Sequence, residues 1–191
     1  SLILTEGDSA KALAVSGLAV VGRDLFGVFP LRGKLPNAFK KTRKMMMENE
    51  EICNLMRIIG LELNTDYTRE ESLQKLRYGS VVVMTDADHD GNHIKGLLLT
   101  LFQVFFPTLL RRPGFIKSFI TPIVKVTDGR VVHAFYDQES FDVWLKQHGD
   151  EPRWRKPKYY KGLGTSTSKE GREYFAEWDK HCHDFVVEDP N

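Results

Sequence analysis

The 191-residue sequence contains only two cysteines, Cys53 and Cys182. That excludes a disulfide-stapled scaffold and suits a reducing compartment. Net charge is nearly absent too, +1 at pH 7 from 27 basic and 26 acidic residues. No global field therefore draws the chain to nucleic acid, and any such binding must come from local patches. No long hydrophobic run exists: the longest apolar stretch, Leu97 to Phe106, is interrupted by Thr100 and Gln103 and is too short to span a bilayer. No charged-then-apolar signal opens the chain, and there are no internal repeats or low-complexity tracts. A Gly-x-Ser-x-Gly elbow is missing, which weakens Ser9 as a nucleophile. Gly162-Leu163-Gly164 lacks the spacing of a dinucleotide fingerprint or a P-loop. What remains, 41% hydrophobic and 28% charged residues, describes an ordinary globular protein of one or two domains. Its first residues already read as a strand, as in a piece excised from something larger.

The most informative stretch runs from Ser80 to Gly96. Val81-Val82-Val83-Met84 is apolar and rich in β-branched residues, the pattern of a strand buried on both faces of a parallel sheet. Three alternating carboxylates follow, Asp86, Asp88 and Asp90, then Gly91 as a turn residue and a helix pattern. Ligands of open α/β sheets sit at the carboxyl ends of strands, where these aspartates fall. Carboxylates this close repel one another, and a divalent cation removes that cost; oxygen-only ligands favour Mg²⁺ or Ca²⁺. On these residues alone four readings are open. An EF-hand fits Asp86, Asp88, Asp90 and Gly91 but fails at its twelfth position, where Leu97 replaces the bidentate Glu. A phosphatase-type Asp nucleophile, a solvated acidic turn capping a helix and a Mg²⁺ site for phosphoryl transfer are the others.

The rest of the chain bears on that choice. Leu2-Ile3-Leu4-Thr5 reads as a buried strand, and Glu6 falls just past its end, as Asp86 does past the later one. A helix pattern follows through Leu13, Leu18 and Val21, with Asp8 or Ser9 as its expected cap. Phe26 to Pro30 is another strand candidate. Leu31 to Lys44 then carries six basic residues and no acidic one, a flexible loop suited to phosphates. Ile52, Leu55, Met56 and Ile59 predict a helix stopped by Gly60, and Met45-Met46-Met47 is expected in the core. Residues 64–78 read as a loop with a short helix. Ile94, Leu97, Leu98, Leu101, Phe102 and Phe105 give the strongest helix face. His89 and His93 could imitate a zinc pair, but His89 is expected before that helix begins; His93 and Lys95 better suit a phosphate backbone. Phe115 to Val126 alternates like a strand with Pro122 confining it to an edge. Thr127-Asp128-Gly129-Arg130 signals a hairpin returning through Val131 to Tyr136, and a helix is expected over 139–147. Arg153 to Lys161 is a second basic patch, five cations with interleaved aromatics. Ser168 is the expected cap of a helix through Tyr174 and Phe175, and His181-Cys182-His183 reads as non-ligating.

Four motifs in order, Glu6-Gly7-Asp8-Ser9-Ala10, Pro30-Leu31-Arg32-Gly33-Lys34, Asp86-Ala87-Asp88-His89-Asp90-Gly91 and Lys161-Gly162-Leu163-Gly164-Thr165, resemble the Toprim segment of the type IIA DNA topoisomerases. Ile120 to Val126 and Tyr159 to Glu170 look most like the eukaryotic branch, whereas Ala87 is similar to the bacterial form. The resemblance implies an α/β Toprim fold, a Rossmann-like parallel sheet flanked by helices, with a C-terminal antiparallel hairpin and extension. It divides the chain into a metal-binding core, 1–126, and a hairpin, basic segment and extension, 127–191. It implies that Glu6 with Asp86 holds one Mg²⁺, and that Asp86 with Asp88 holds a second with Asp90 as outer contributor. Mn²⁺ or Ca²⁺ could substitute, and Glu6, Asp86 and Asp88 would be catalytic. Arg32, Lys34, His93, Lys95 and Lys161 would contact double-stranded DNA. The nucleophilic tyrosine would lie on a separate winged-helix domain and ATP would be used by another; none of the six tyrosines here lies in a matching motif. A full-length homodimer, no membrane association and a nuclear location are further expectations, with organellar and viral sources left open. The fragment alone would be inactive. A non-catalytic DNA-binding Toprim module, or another Toprim nuclease or primase, are the alternatives.

Overall fold

A computed structural model describes residues 1–149, 151 and 154–186. Arg153, part of the second basic patch, and residues 187–191 of the expected extension lie outside them. The chain opens with strand β1 (Leu2–Glu6), helix α1 (Gly7–Val21) and strand β2 (Gly27–Leu31). Helices α2 (Arg43–Met47), α3 (Glu50–Ile59) and α4 (Glu70–Leu73) follow. Strand β3 (Val81–Met84), helices α5 (His89–Phe105) and α6 (Pro107–Leu110) and strand β4 (Ile116–Phe119) complete the first half. Next come β5 (Val124–Thr127), β6 (Val132–Phe135), helix α7 (Gln138–His148) and β7 (Lys158–Tyr159). A 3-10 turn (Leu163–Thr165), helices α8 (Ser168–Ala176) and α9 (Trp178–His181), and strand β8 (Cys182–Asp184) end the described chain.

Five strands form the main sheet in the order β2-β1-β3-β4-β8. The first four run parallel and β8 adds an antiparallel edge. Each face of this sheet is covered, which is why β1 and β3 are apolar without polar alternation. Leu2, Leu4, Val81 and Val83 point into one core with α3, α5 and α6, through Ile52, Leu55, Leu98 and Phe102. Ile3, Val82 and Met84 point the other way, onto Leu13 and Ala14 of α1 and Phe175 of α8. Gly17 lies under the Phe175 ring, where any Cβ would collide with it. A smaller antiparallel sheet, order β6-β5-β7, packs Val124, Val126 and Phe135 against Phe141 of α7.

Several local expectations change in the folded chain. The stretch 115–126 is two strands rather than one: β4 stays in the main sheet and β5 belongs to the small one. Pro122, which cannot donate to a ladder, sits in the crossing between them. Helix α1 has no side-chain cap from Asp8 or Ser9; the strand runs straight into it through Gly7, at φ 72°, so that Glu6 occupies the cap position. His89 is the first residue of α5, not a residue before it, because Asp88 caps the helix by accepting from the Gly91 N–H at 2.7 Å. Gly91 itself lies inside the helix rather than in a turn; its missing Cβ would collide with the Asp86 carbonyl oxygen. Thr167, not Ser168, caps α8, in a capping box with Glu170. Of the methionine run only Met46 is fully buried, while Met45 is exposed.

Glu170 ties the small sheet to α8. Its carboxylate accepts from Lys158 Nζ at 2.9 Å, from the Thr167 N–H at 2.8 Å and from the Tyr160 hydroxyl, and Lys125 Nζ lies 3.7 Å away. Burial alone pushes this carboxyl up, but the Lys158, Thr167 and Tyr160 hydrogen bonds together outweigh it and hold it at about 2. Between about 2 and the ordinary 4.5 the folded chain binds fewer protons than the unfolded one. This stabilisation is therefore complete above pH 4.5 and lost as the pH falls toward about 2. Glu170→Gln is expected to cost about 2 kcal/mol at pH 7, with the difference from the parent shrinking as the pH drops below about 4.5 in urea titrations; an equal loss at every pH would contradict the account.

Candidate metal and nucleic-acid site

The parallel pairing of β1 with β3 sets Thr5 level with Met84. Glu6, which is the last residue of β1 rather than one past it, and Asp86, two residues past β3, therefore emerge at one end of the sheet. The Glu6 carboxylate turns toward the neighbouring strand and accepts from the Asp86 backbone N–H at 3.2 Å through Oε2. Asp86 in turn accepts through Oδ1 from the Leu163 N–H at 2.7 Å. Glu6, Ser9, Asp86, Lys161, Gly162 and Thr165 line one open cleft of about 400 Å³.

Desolvation raises the Glu6 carboxyl above its ordinary range; the Asp86 N–H opposes this, and the charges of Asp86, Asp88 and Asp90 add to it. Glu6 and Asp88 both stand at helix N-caps, where the dipole favours negative charge. Asp90, in the first turn of α5, is paired with Lys34 Nζ at 2.7 Å, and that partner holds its carboxyl below the usual range. The structure thus brings the Glu6 carboxylate onto the Asp86 main chain, with the Asp86 carboxylate on the Leu163 N–H, and leaves Asp88 and Asp90 on the adjoining loop and helix. Among the described residues no group of three or more His, Cys, Asp or Glu side chains converges closely enough to hold a metal ion. The donor set is nevertheless of the hard, oxygen-only kind, and a carboxyl raised partly by its acidic neighbours is one that a divalent cation would relieve.

The basic candidates sit around this acid cluster in different ways. Lys34 is committed to Asp90. The Arg32 backbone N–H donates to Glu51 at 2.6 Å, leaving its side chain on an exposed residue. His93 and Lys161 are exposed. Lys95 is half-buried: burial lowers its ammonium pKa, and the Glu6 charge partly restores it. The Leu163 N–H and the closely apposed Gly162 were not among the candidates. Their motif was visible, but a contact between positions 77 residues apart has no local signature.

A family model described as the Toprim domain matches residues 1–122. The chain belongs to the Toprim family. Residues 119–191 match a second model, the C-terminal associated domain of TOPRIM. The Toprim chain is similar along its whole length to DNA topoisomerase 2-alpha of Homo sapiens, 53% identical over 190 residues, covering 100% of this chain and 12% of that protein. DNA topoisomerase 2 of Pisum sativum is 50% identical over 190 residues, covering 99% of this chain and 13% of that protein. The chain thus spans about an eighth of the length of these relatives. Its fold matches the Plasmodium falciparum topoisomerase II DNA-binding, cleavage and re-ligation domain with a TM-score of 0.88 at 46% identity, over 97% of this chain and 25% of that one. These relatives are eukaryotic, on the side that Ile120 to Val126 indicated rather than the bacterial side of Ala87.

Since the Glu6 charge is disfavoured on balance, Glu6→Gln is expected to stabilise the fold slightly at pH 7 in EDTA, by less than about 1 kcal/mol at this partly exposed site. Urea midpoints check this, and a destabilised variant would contradict the reading of the cluster.

Proposed function

We propose that this chain is the metal-binding part of the DNA cleavage and religation centre of an ATP-dependent type II DNA topoisomerase. The observation that carries the reading is the meeting of Glu6 and Asp86, from two strand tips, beside Lys161 in one cleft. Glu6, Asp86 and Asp88 would hold Mg²⁺, with Asp90 contributing from outside and Mn²⁺ or Ca²⁺ able to substitute. The bound ions would supply Lewis-acid stabilisation of charge on the scissile phosphate and the leaving oxygen. Glu6 would also hold or release a proton beside that phosphate. Arg32, Lys34, His93, Lys95 and Lys161 would grip the backbone of double-stranded DNA. A tyrosine on a separate winged-helix domain would be the nucleophile, ATP would be used by a further domain, and the whole enzyme would be a nuclear homodimer. The approximate division into a metal-binding core, 1–126, and an extension, 127–191, belongs to the same reading.

One observation favours a second reading, a non-catalytic DNA-binding Toprim module: Asp90 is occupied by Lys34. The readings part in the full-length enzyme. Asp86→Ala is expected to reduce relaxation of supercoiled DNA by about 10²–10³-fold while DNA binding without divalent ions persists; relaxation at the parent rate would favour the module. The isolated chain is expected to leave supercoiled DNA intact in Mg²⁺, and measurable cleavage by it would refute the composite centre.

A further inference from the structure

The Asp86 carboxylate, which lines the cleft, is held from the other half of the chain. Asp86 extends from β3, yet its Oδ1 accepts from the backbone N–H of Leu163 at 2.7 Å, across 77 residues. Gly162 lies against the same carboxylate so closely that a Cβ there would overlap it. The Gly162 backbone is fully extended, at φ 178°, a conformation open to any residue. A Cβ at 162 would have to push this carboxylate aside, so the constraint on Gly162 comes from the carboxylate it faces and not from its own dihedrals.

The donor is rigidly placed. Leu163 is buried, 2% exposed, in the core that contains Ile3, Val82 and Phe175. Thr165 closes the 3-10 turn onto the Gly162 carbonyl, its N–H donating at 3.0 Å and its hydroxyl at 2.6 Å. The Thr167–Glu170 capping box then starts α8, which packs on α1 through Gly17 and Phe175. A hydrogen bond from such a turn fixes the rotamer of Asp86 before any ligand arrives. That is the task of groups that orient metal ligands, whose loss costs about 10–100-fold in metal affinity.

We propose that the Gly162–Leu163 peptide is a positioning element for Asp86, so that the segment after the Toprim core sets the metal affinity of the cleft. The inference rests on the proposed function, in that Asp86 is taken as a metal ligand. In the full-length enzyme, Gly162→Ala displaces the carboxylate. Replacing Leu163 by its α-hydroxy acid removes the N–H and keeps the buried side chain, at the cost of a weaker Gly162 carbonyl acceptor for Thr165, so it tests the same bond without crowding. Both are expected to raise the Mn²⁺ concentration for half-occupancy, read by electron paramagnetic resonance, by about 10-fold or more. The Mg²⁺ concentration for half-maximal DNA cleavage should shift in parallel, with the cleavage rate recovering at saturating metal and DNA affinity in EDTA unchanged. A merely structural role would lower the saturating rate and the thermal midpoint instead. Unchanged Mn²⁺ occupancy in the α-hydroxy variant, with Asp86→Ala abolishing it, would overturn the positioning role alone. Mn²⁺ binding equally to the parent and to Asp86→Ala would overturn both the role and the functional reading beneath it.

Discussion

The pairing of β1 with β3 forces two acidic residues, 80 positions apart, to one end of a parallel sheet. Main-chain hydrogen bonds and the burial of Leu2, Ile3, Leu4 and Val81 to Met84 hold that register. A slip of one residue would turn each strand's side chains to the opposite face, so both cores fix the position of the acids as firmly as they fix the strands. The cost falls on Glu6, desolvated and facing Asp86, Asp88 and Asp90. Stability given up at a carboxylate cluster is a common mark of a site built for something that arrives later.

The rest of the molecule braces this end of the sheet. The N-terminus of α1 follows Glu6 directly, and α5 is capped by Asp88, so two helix dipoles point at the acidic loops. The Lys34–Asp90 pair bridges the basic loop after β2 to the first turn of α5. From the other half, the small sheet and α8 are joined through Glu170, and the turn before α8 reaches Asp86. The cleft is thus assembled from both matched regions of the chain.

Much of the fold was legible because it is local. The unbroken apolar run at Val81 to Met84, the helix stopped at Gly60, whose φ is 85°, and the hairpin at 128–131 each carry their cause within a few residues. What stayed hidden depended on distant partners. Gly7 starts α1 without a cap because Glu6 is turned toward Asp86, and no pattern near Asp8 or Ser9 announces that. The alternation through 115–126 does not show that Pro122 separates two sheets. The carboxylates themselves were conspicuous, but their spacing alone left four chemistries open. The order of four motifs narrowed them, and the fold adds that the Glu6 carboxylate reaches the Asp86 backbone N–H.

The central claim is that the two strand tips share a divalent cation. Crystals of the chain soaked in Mn²⁺ and measured for anomalous scattering test it directly. The account expects a peak with oxygens of Glu6 and Asp86 at about 2.0–2.2 Å, the Glu6 carboxylate having left the Asp86 N–H. Peaks confined to other surface carboxylates, with Glu6 still bound to that N–H, would contradict it.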